Sequence, residues 1–101
     1  MNVQIQTVHF DADSKLIEHV NAKIEKLKTY HDKIVWAEVY LKLDNMSHQV
    51  RDKVAEIKVY VPGHSYFVKH QSKAFEESFD LAFNSLVSQV KRKKEKQLAY
   101  S

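Results

Sequence analysis

Residues 34–43 read Ile34-Val35-Trp36-Ala37-Glu38-Val39-Tyr40-Leu41-Lys42-Leu43, and their alternation decides the fold. Val35, Ala37, Val39, Leu41 and Leu43 fall on one face of an extended chain, with Ile34, Trp36, Glu38, Tyr40 and Lys42 on the other. A strand with one wholly apolar face needs a second layer to cover that face. Residues 53–61 repeat the pattern, with Ala55, Ile57, Val59 and Val61 opposite Val54, Glu56, Lys58 and Tyr60. Pro62 and Gly63 then mark a turn. Beyond it Tyr66, Val68 and His70 alternate with Phe67 and Lys69 in a shorter strand. The polar link 44–50 and the short 62–65 turn both favour antiparallel neighbours.

Working outward, residues 3–10 alternate with a phase change, which predicts a strand bulged near Thr7. Asp11, Asp13 and Ser14 supply capping side chains for a helix over 13–31, whose stripe is Leu16, Ile17, Val20, Ile24 and Leu27. A second helix is predicted from a cap at Ser72 to about residue 96, with Phe75, Phe79, Ala82, Phe83, Leu86 and Val90 as its stripe. Glu76 and Glu77 complement its positive end. The order β-α-β-β-β-α predicts an α/β two-layer sandwich, a four-stranded sheet with two helices on one face.

At 101 residues the chain is expected to be one domain, 1–101, with a basic C-terminal end at 91–101 open to fraying. It has no cysteine, so disulfide frameworks and thiolate metal sites are excluded. The opening MNVQIQTVHF lacks the basic start and apolar run of a signal peptide, and no stretch approaches the ~20 apolar residues of a membrane span. A cytoplasmic location is the expectation.

The formal net charge is +3, and its placement is uneven. Residues 1–50 hold six basic and seven acidic residues, whereas 51–101 hold ten and six. On an ideal wheel Lys15, Lys26, His19 and Lys23 fall at about 0°, 20°, 40° and 80°, beside an apolar stripe at about 100–200°. Such an edge is either a solvated rim covering the core with lysine stems or a face for a polyanion. The run Lys91-Arg92-Lys93-Lys94-Glu95-Lys96 is expected to project past the sheet, where it suits backbone phosphates or is a solvated terminus. Trp36, Tyr40 and Tyr60 on the outer sheet face are read as covering one another across strands, since no motif of single-strand RNA binders accompanies them.

Catalytic and cofactor signatures are lacking. The histidines at 9, 19, 31, 48, 64 and 70 make no HExxH and no i,i+4 pair, and a single glycine cannot build a phosphate loop. No nucleophile elbow or paired-carboxylate spacing stands out. Neither an enzyme nor a metal or cofactor is expected.

The chain resembles the ribosome hibernation-promoting factor family, also called ribosome-associated inhibitors, small-subunit interface proteins or sigma-54 modulation proteins, in its short form. The resemblance rests on Leu16–Val20, Ala22–Leu27, Tyr30 and Asp32–Ile34, on Val39–Leu43, on residues 57–63 (IKVYVPG) and on the ending Leu86–Lys96. It implies a fold similar to double-stranded RNA-binding domains. It also implies a stress-response function: binding small-subunit ribosomal RNA where messenger RNA and the A- and P-site transfer RNAs sit, and blocking translation in resting cells. By position, Lys23, Lys26 and Lys33 match the first basic edge and Lys91, Arg92, Lys94 and Lys96 the second, while Lys42 matches a further basic position. Together with Lys15 from the wheel, these are the candidate RNA-binding residues. The family's acidic-Met-Tyr opening of the second helix is replaced by Ser72-Lys73-Ala74-Phe75-Glu76-Glu77, and the long form's dimerisation domain has no counterpart. A monomer off the ribosome, with no membrane or small-molecule partner, is the expectation. The alternative is a general double-stranded RNA-binding module without ribosome preference.

Overall fold

The computed structural model describes residues 1–44 and 53–99, with the side chains of the terminal helix described as far as Lys94. Elements follow the order β1 (Asn2–Val8), α1 (Ser14–Lys26), a 3-10 turn (Leu27–Thr29), β2 (Trp36–Leu43), β3 (Lys53–Val61), β4 (His64–Ser72) and α2 (Phe75–Ala99). The strands lie in the sheet in sequence order. β1 pairs parallel to β2, as a strand-helix-strand crossover requires, while β2–β3 and β3–β4 are antiparallel. The link 44–50 lies outside the described residues apart from Asp44.

Both helices cover the apolar sheet face. Ala37, Val39 and Leu41 of β2 and Ala55, Ile57 and Val59 of β3 are buried beneath Val20, Ile24, Leu27, Phe79, Leu86 and Val90. Burying one such Leu, Ile or Phe contributes about 1.5–3 kcal/mol. This layer is therefore the main stabilising term.

Four local expectations are corrected. β1 has no bulge, since its register with β2 is continuous from Asn2↔Trp36 to Val8↔Lys42. The phase change instead falls after the strand at His9, whose φ of 68° lies in the left-handed region. That reversal carries Phe10 onto Phe75, with ring centroids 4.2 Å apart. α1 begins as predicted, with Asp13 Oδ1 accepting from the Leu16 amide at 2.8 Å. It ends at Lys26, however, and tightens into the 3-10 turn, where the Thr29 hydroxyl donates to the Lys26 carbonyl at 2.7 Å. Ser72 is not the cap of α2, because it is still paired with Lys53 in the sheet. The first helical bond runs from the Ser78 amide to the Ala74 carbonyl, and the helix continues to Ala99, past the predicted end.

The start of α2 is instead pinned through a buried hydroxyl. Ser78 donates to the Lys53 carbonyl at 2.6 Å and lies 2.8 Å from the Ser72 hydroxyl. This bond fixes the helix against the first residue of β3. From there α2 runs antiparallel to β4, passing Ser85 against His70 (2.8 Å) and reaching the β3–β4 turn at Lys93 and Lys94. At 1.5 Å per residue, its last five residues extend about 7 Å further.

Candidate nucleic-acid interface

α1 and α2 lie side by side and run in the same direction. Phe10 meets Phe75 at one end, His19 and Lys23 meet Asp80 in the middle, and Tyr30 meets Lys91 at the other end. The parallel arrangement follows from each helix leaving the same end of the sheet and crossing back over it. Charge rules for single helices therefore act in concert. Acidic residues favoured near helix starts collect at one end, and basic residues favoured near helix finishes collect at the other.

The basic stripe of α1 reaches the seam between the helices at His19 and Lys23. Lys15 and Lys26 are exposed, while Lys23 is half-buried. The Lys23 ammonium sits 3.5 Å from Asp80 Oδ1 and 5.6 Å from the centre of the Phe83 ring. His19 Nε2 shares the same carboxylate oxygen at 2.7 Å. One acid from α2 thus interrupts the cationic stripe, and an exposed pair of this kind contributes at most about 1 kcal/mol.

At the far end three chain segments converge. His31, Asp32 and Lys33 leave the 3-10 turn, Pro62, Gly63 and His64 form the β3–β4 turn, and Lys93 and Lys94 arrive on α2. Together with Val61 and Tyr66 they line a cleft of about 320 Å³. Gly63 takes φ 76°, a conformation that suits glycine, and leaves open space at the rim. Lys91 stands beside the cleft with its ammonium 5.2 Å from the centre of the Tyr30 ring. Arg92 is exposed, about 100° further round the helix.

The electrostatics of the cleft are those of a cationic pocket. Burial, and then the neighbouring Lys94, hold the His31 imidazole below its usual pKa, against the weaker opposing pull of Asp32. Burial raises the Tyr66 phenol, which keeps it neutral. His64 packs edge-on against that ring with centroids 4.6 Å apart.

The candidate residues therefore divide. Lys33 and Lys94 line the cleft with Lys91 beside it, Lys23 meets α2 across the seam, and Lys15, Lys26 and Arg92 are exposed on their helices. Lys42 is elsewhere, on the outer sheet face, bonded to Glu56 at 2.8 Å. Lys96 belongs to α2, and its side chain lies outside the described residues. His31, His64 and Lys93, absent from the sequence-derived set, join the cleft. Their signal was topological: the turn at Pro62-Gly63 and the exit of α1 into β2 must meet at one end of the sheet.

The outer sheet face is mostly self-satisfied. Trp36 and Tyr60, directly opposite in the register, have centroids 4.6 Å apart. Tyr40 donates to Glu38 at 3.3 Å, and the Lys58 ammonium lies 5.1 Å from the centre of the Tyr60 ring. A depression of about 530 Å³ there is lined by Val8, Lys42, Val54, Glu56 and Lys69 among others, with Lys42 and Glu56 neutralising each other. Among the described residues no three His, Cys, Asp or Glu come together as metal ligands. Among them, too, no helix is long and apolar enough to cross a membrane.

Residues 3–98 match the model of the family described as sigma 54 modulation protein / S30EA ribosomal protein. The chain belongs to this family. The fold agrees with two solved structures. A ribosomal subunit interface protein from Coxiella burnetii superposes with a TM-score of 0.83 at 19% identity, covering 94% of this chain and 99% of that one. The N-terminal domain of Protein Y from Thermus thermophilus superposes with a TM-score of 0.76 at 27% identity, covering 91% and 98%. No curated protein sequence matches the chain. For this family member the β-α-β-β-β-α order and the two-helix layer are thus those of ribosomal interface proteins.

Proposed function

We propose that this chain is a cytoplasmic ribosome hibernation factor. It binds ribosomal RNA of the small subunit near the messenger RNA and A- and P-site transfer RNA positions, and blocks translation in resting cells by occupying them. The observation that carries the reading is the convergence of Lys33, Lys91, Lys93 and Lys94 from separate segments on one end of a body that belongs to this family. Lys15, Lys23 and Lys26 extend that charge along α1.

The mechanism is steric and electrostatic. Lysines on a rigid helical layer meet phosphates of folded RNA, whose deep groove hides base edges, so shape and charge hold the module with little base readout. No bond is made or broken, and no cofactor takes part. Off the ribosome the chain is a monomer.

Two assays test this. Co-sedimentation with purified small subunits is expected to be tight at low salt, and prior loading with transfer RNA and messenger RNA is expected to reduce it. Addition of the protein to a cell-free translation reaction is expected to lower synthesis in proportion to subunit occupancy. Equal affinity for small subunits and a plain RNA duplex would leave a general RNA-binding module instead.

A further inference from the structure

The cleft between the α1 exit, the β3–β4 turn and the end of α2 has a feature that a simple lysine patch lacks. The Lys33 backbone N–H donates to His31 Nδ1 at 3.1 Å. That nitrogen therefore carries a lone pair rather than a proton, and the neutral ring holds its proton on Nε2. Lys94 and Lys93 approach from α2, Lys33 and Asp32 flank the ring on its own segment, and His64 and the neutral Tyr66 phenol face the cleft from β4. Burial and the cleft's own lysines thus disfavour a further positive charge on the ring. An anion within the cleft reverses that balance, because its charge offsets the lysines and favours the imidazolium.

We propose that this cleft is a subsite for one RNA backbone phosphate, and that His31 takes up a proton when the phosphate enters. This inference rests on the RNA-binding reading above and adds its regulation. The protonated ring gives up the Lys33 amide, since Nδ1 becomes a donor. The freed N–H and the new Nδ1–H both become available to phosphate oxygens beside the Lys33, Lys93 and Lys94 ammoniums. Proton uptake on binding makes affinity rise as pH falls, by at most about tenfold per pH unit for a single proton. The lowered position of His31 in the free protein widens the pH window over which this operates.

Two measurements at constant ionic strength test the proposal. The first follows the His31 ring by NMR across pH, in chloride and then in inorganic phosphate. The titration midpoint is expected to lie below the usual histidine value in chloride and to move up in phosphate, and Lys94→Gln is expected to raise it in chloride. A midpoint unchanged by phosphate overturns the cleft as a phosphate site. The second compares small-subunit affinity at pH 8 and pH 6 for the native protein and for His31→Gln. The native protein is expected to tighten several-fold more than the variant. Equal pH dependence overturns the coupling to His31, whereas absence of subunit binding at either pH, with the NMR shift present, overturns the ribosomal reading and leaves the phosphate site standing.

Discussion

The two ends of the helical layer are built from the same pair of parallel helices and carry opposite chemistry. Where the helices begin, Asp11, Asp13, Glu76 and Glu77 gather around the amide ends, offset in part by Lys53 and Lys73. That end is also locked, by the Phe10–Phe75 stack and the buried Ser72–Ser78 hydroxyl pair. Where they finish, Lys33, Lys93 and Lys94 line a cleft, with Lys91 beside it, and Asp32 is the only carboxylate lining it among the described residues. The starting end spends its side chains on holding α2 to β3, and the finishing end presents charge to solvent. Glu76, Glu77 and the capping Asp13 at the starts, and Lys91, Lys93 and Lys94 toward the finish of α2, sit where a lone helix would favour them, whereas Lys15 in the first turn of α1 does not. Because the helices point the same way, these local preferences add up to a polarised body. The cationic end therefore follows from helix direction as much as from lysine content.

Substitutions can break that comparison. The largest effect is expected from Lys91→Gln, Lys93→Gln and Lys94→Gln combined. Losing three phosphate contacts lowers subunit affinity roughly 100-fold near physiological salt by counterion release. Thermal unfolding should show the fold intact. The converse change is Ser78→Ala at the locked end. It removes the hydroxyl that donates to the Lys53 carbonyl and is expected to cost about 1 kcal/mol in urea unfolding, with subunit affinity per folded molecule unchanged.

Smaller effects sharpen the picture. Asp80→Asn frees Lys23 from its carboxylate, so affinity at low salt is expected to rise a few-fold, while stability falls by less than about 1 kcal/mol. Glu76→Gln with Glu77→Gln weakens the start of α2 by about 0.3–1 kcal/mol per charge and leaves binding untouched. The smallest effect concerns pH. The unfolded chain protonates His31 more readily than the folded one, so this residue's contribution to stability is present above the ordinary histidine range and is lost as pH falls through the lowered folded value. His31→Gln is therefore expected to reduce the acid sensitivity of urea unfolding slightly.

Much of this was legible in the sequence, and the exceptions have physical reasons. The period-two runs at 34–43 and 53–61 identified both central strands and their covered faces, since a covered sheet tolerates no error in phase, except that Val35 stands exposed just before β2 and Val54 is buried on the opposite face. Helical periodicity and the Asp13 cap located both helices and the start of α1, but not the end of α1 or either end of α2. The 3-10 turn at Leu27 depends on the Thr29 hydroxyl, and the late start of α2 depends on Ser72 staying in the sheet with Lys53. The change of phase near Thr7 was visible, yet whether a bulge or a left-handed residue made it was not. At the site, the wheel put Lys15, Lys23 and Lys26 on one side of α1, and Lys23 does face α2 from there. It could not show that Asp80, 57 positions after Lys23, would share its charge. Nor could it assemble His31, His64 and Lys93, which meet only through the topology.

The central claim is that the finishing ends of α1 and α2 hold the phosphates of small-subunit RNA. Its most direct test is co-sedimentation of native protein and the triple Gln variant with purified small subunits across a salt series. With about five phosphates neutralised, the log–log slope for the native protein is expected near roughly −4, and near roughly −2 for the variant. Identical slopes for the two proteins, or binding insensitive to salt, would contradict it.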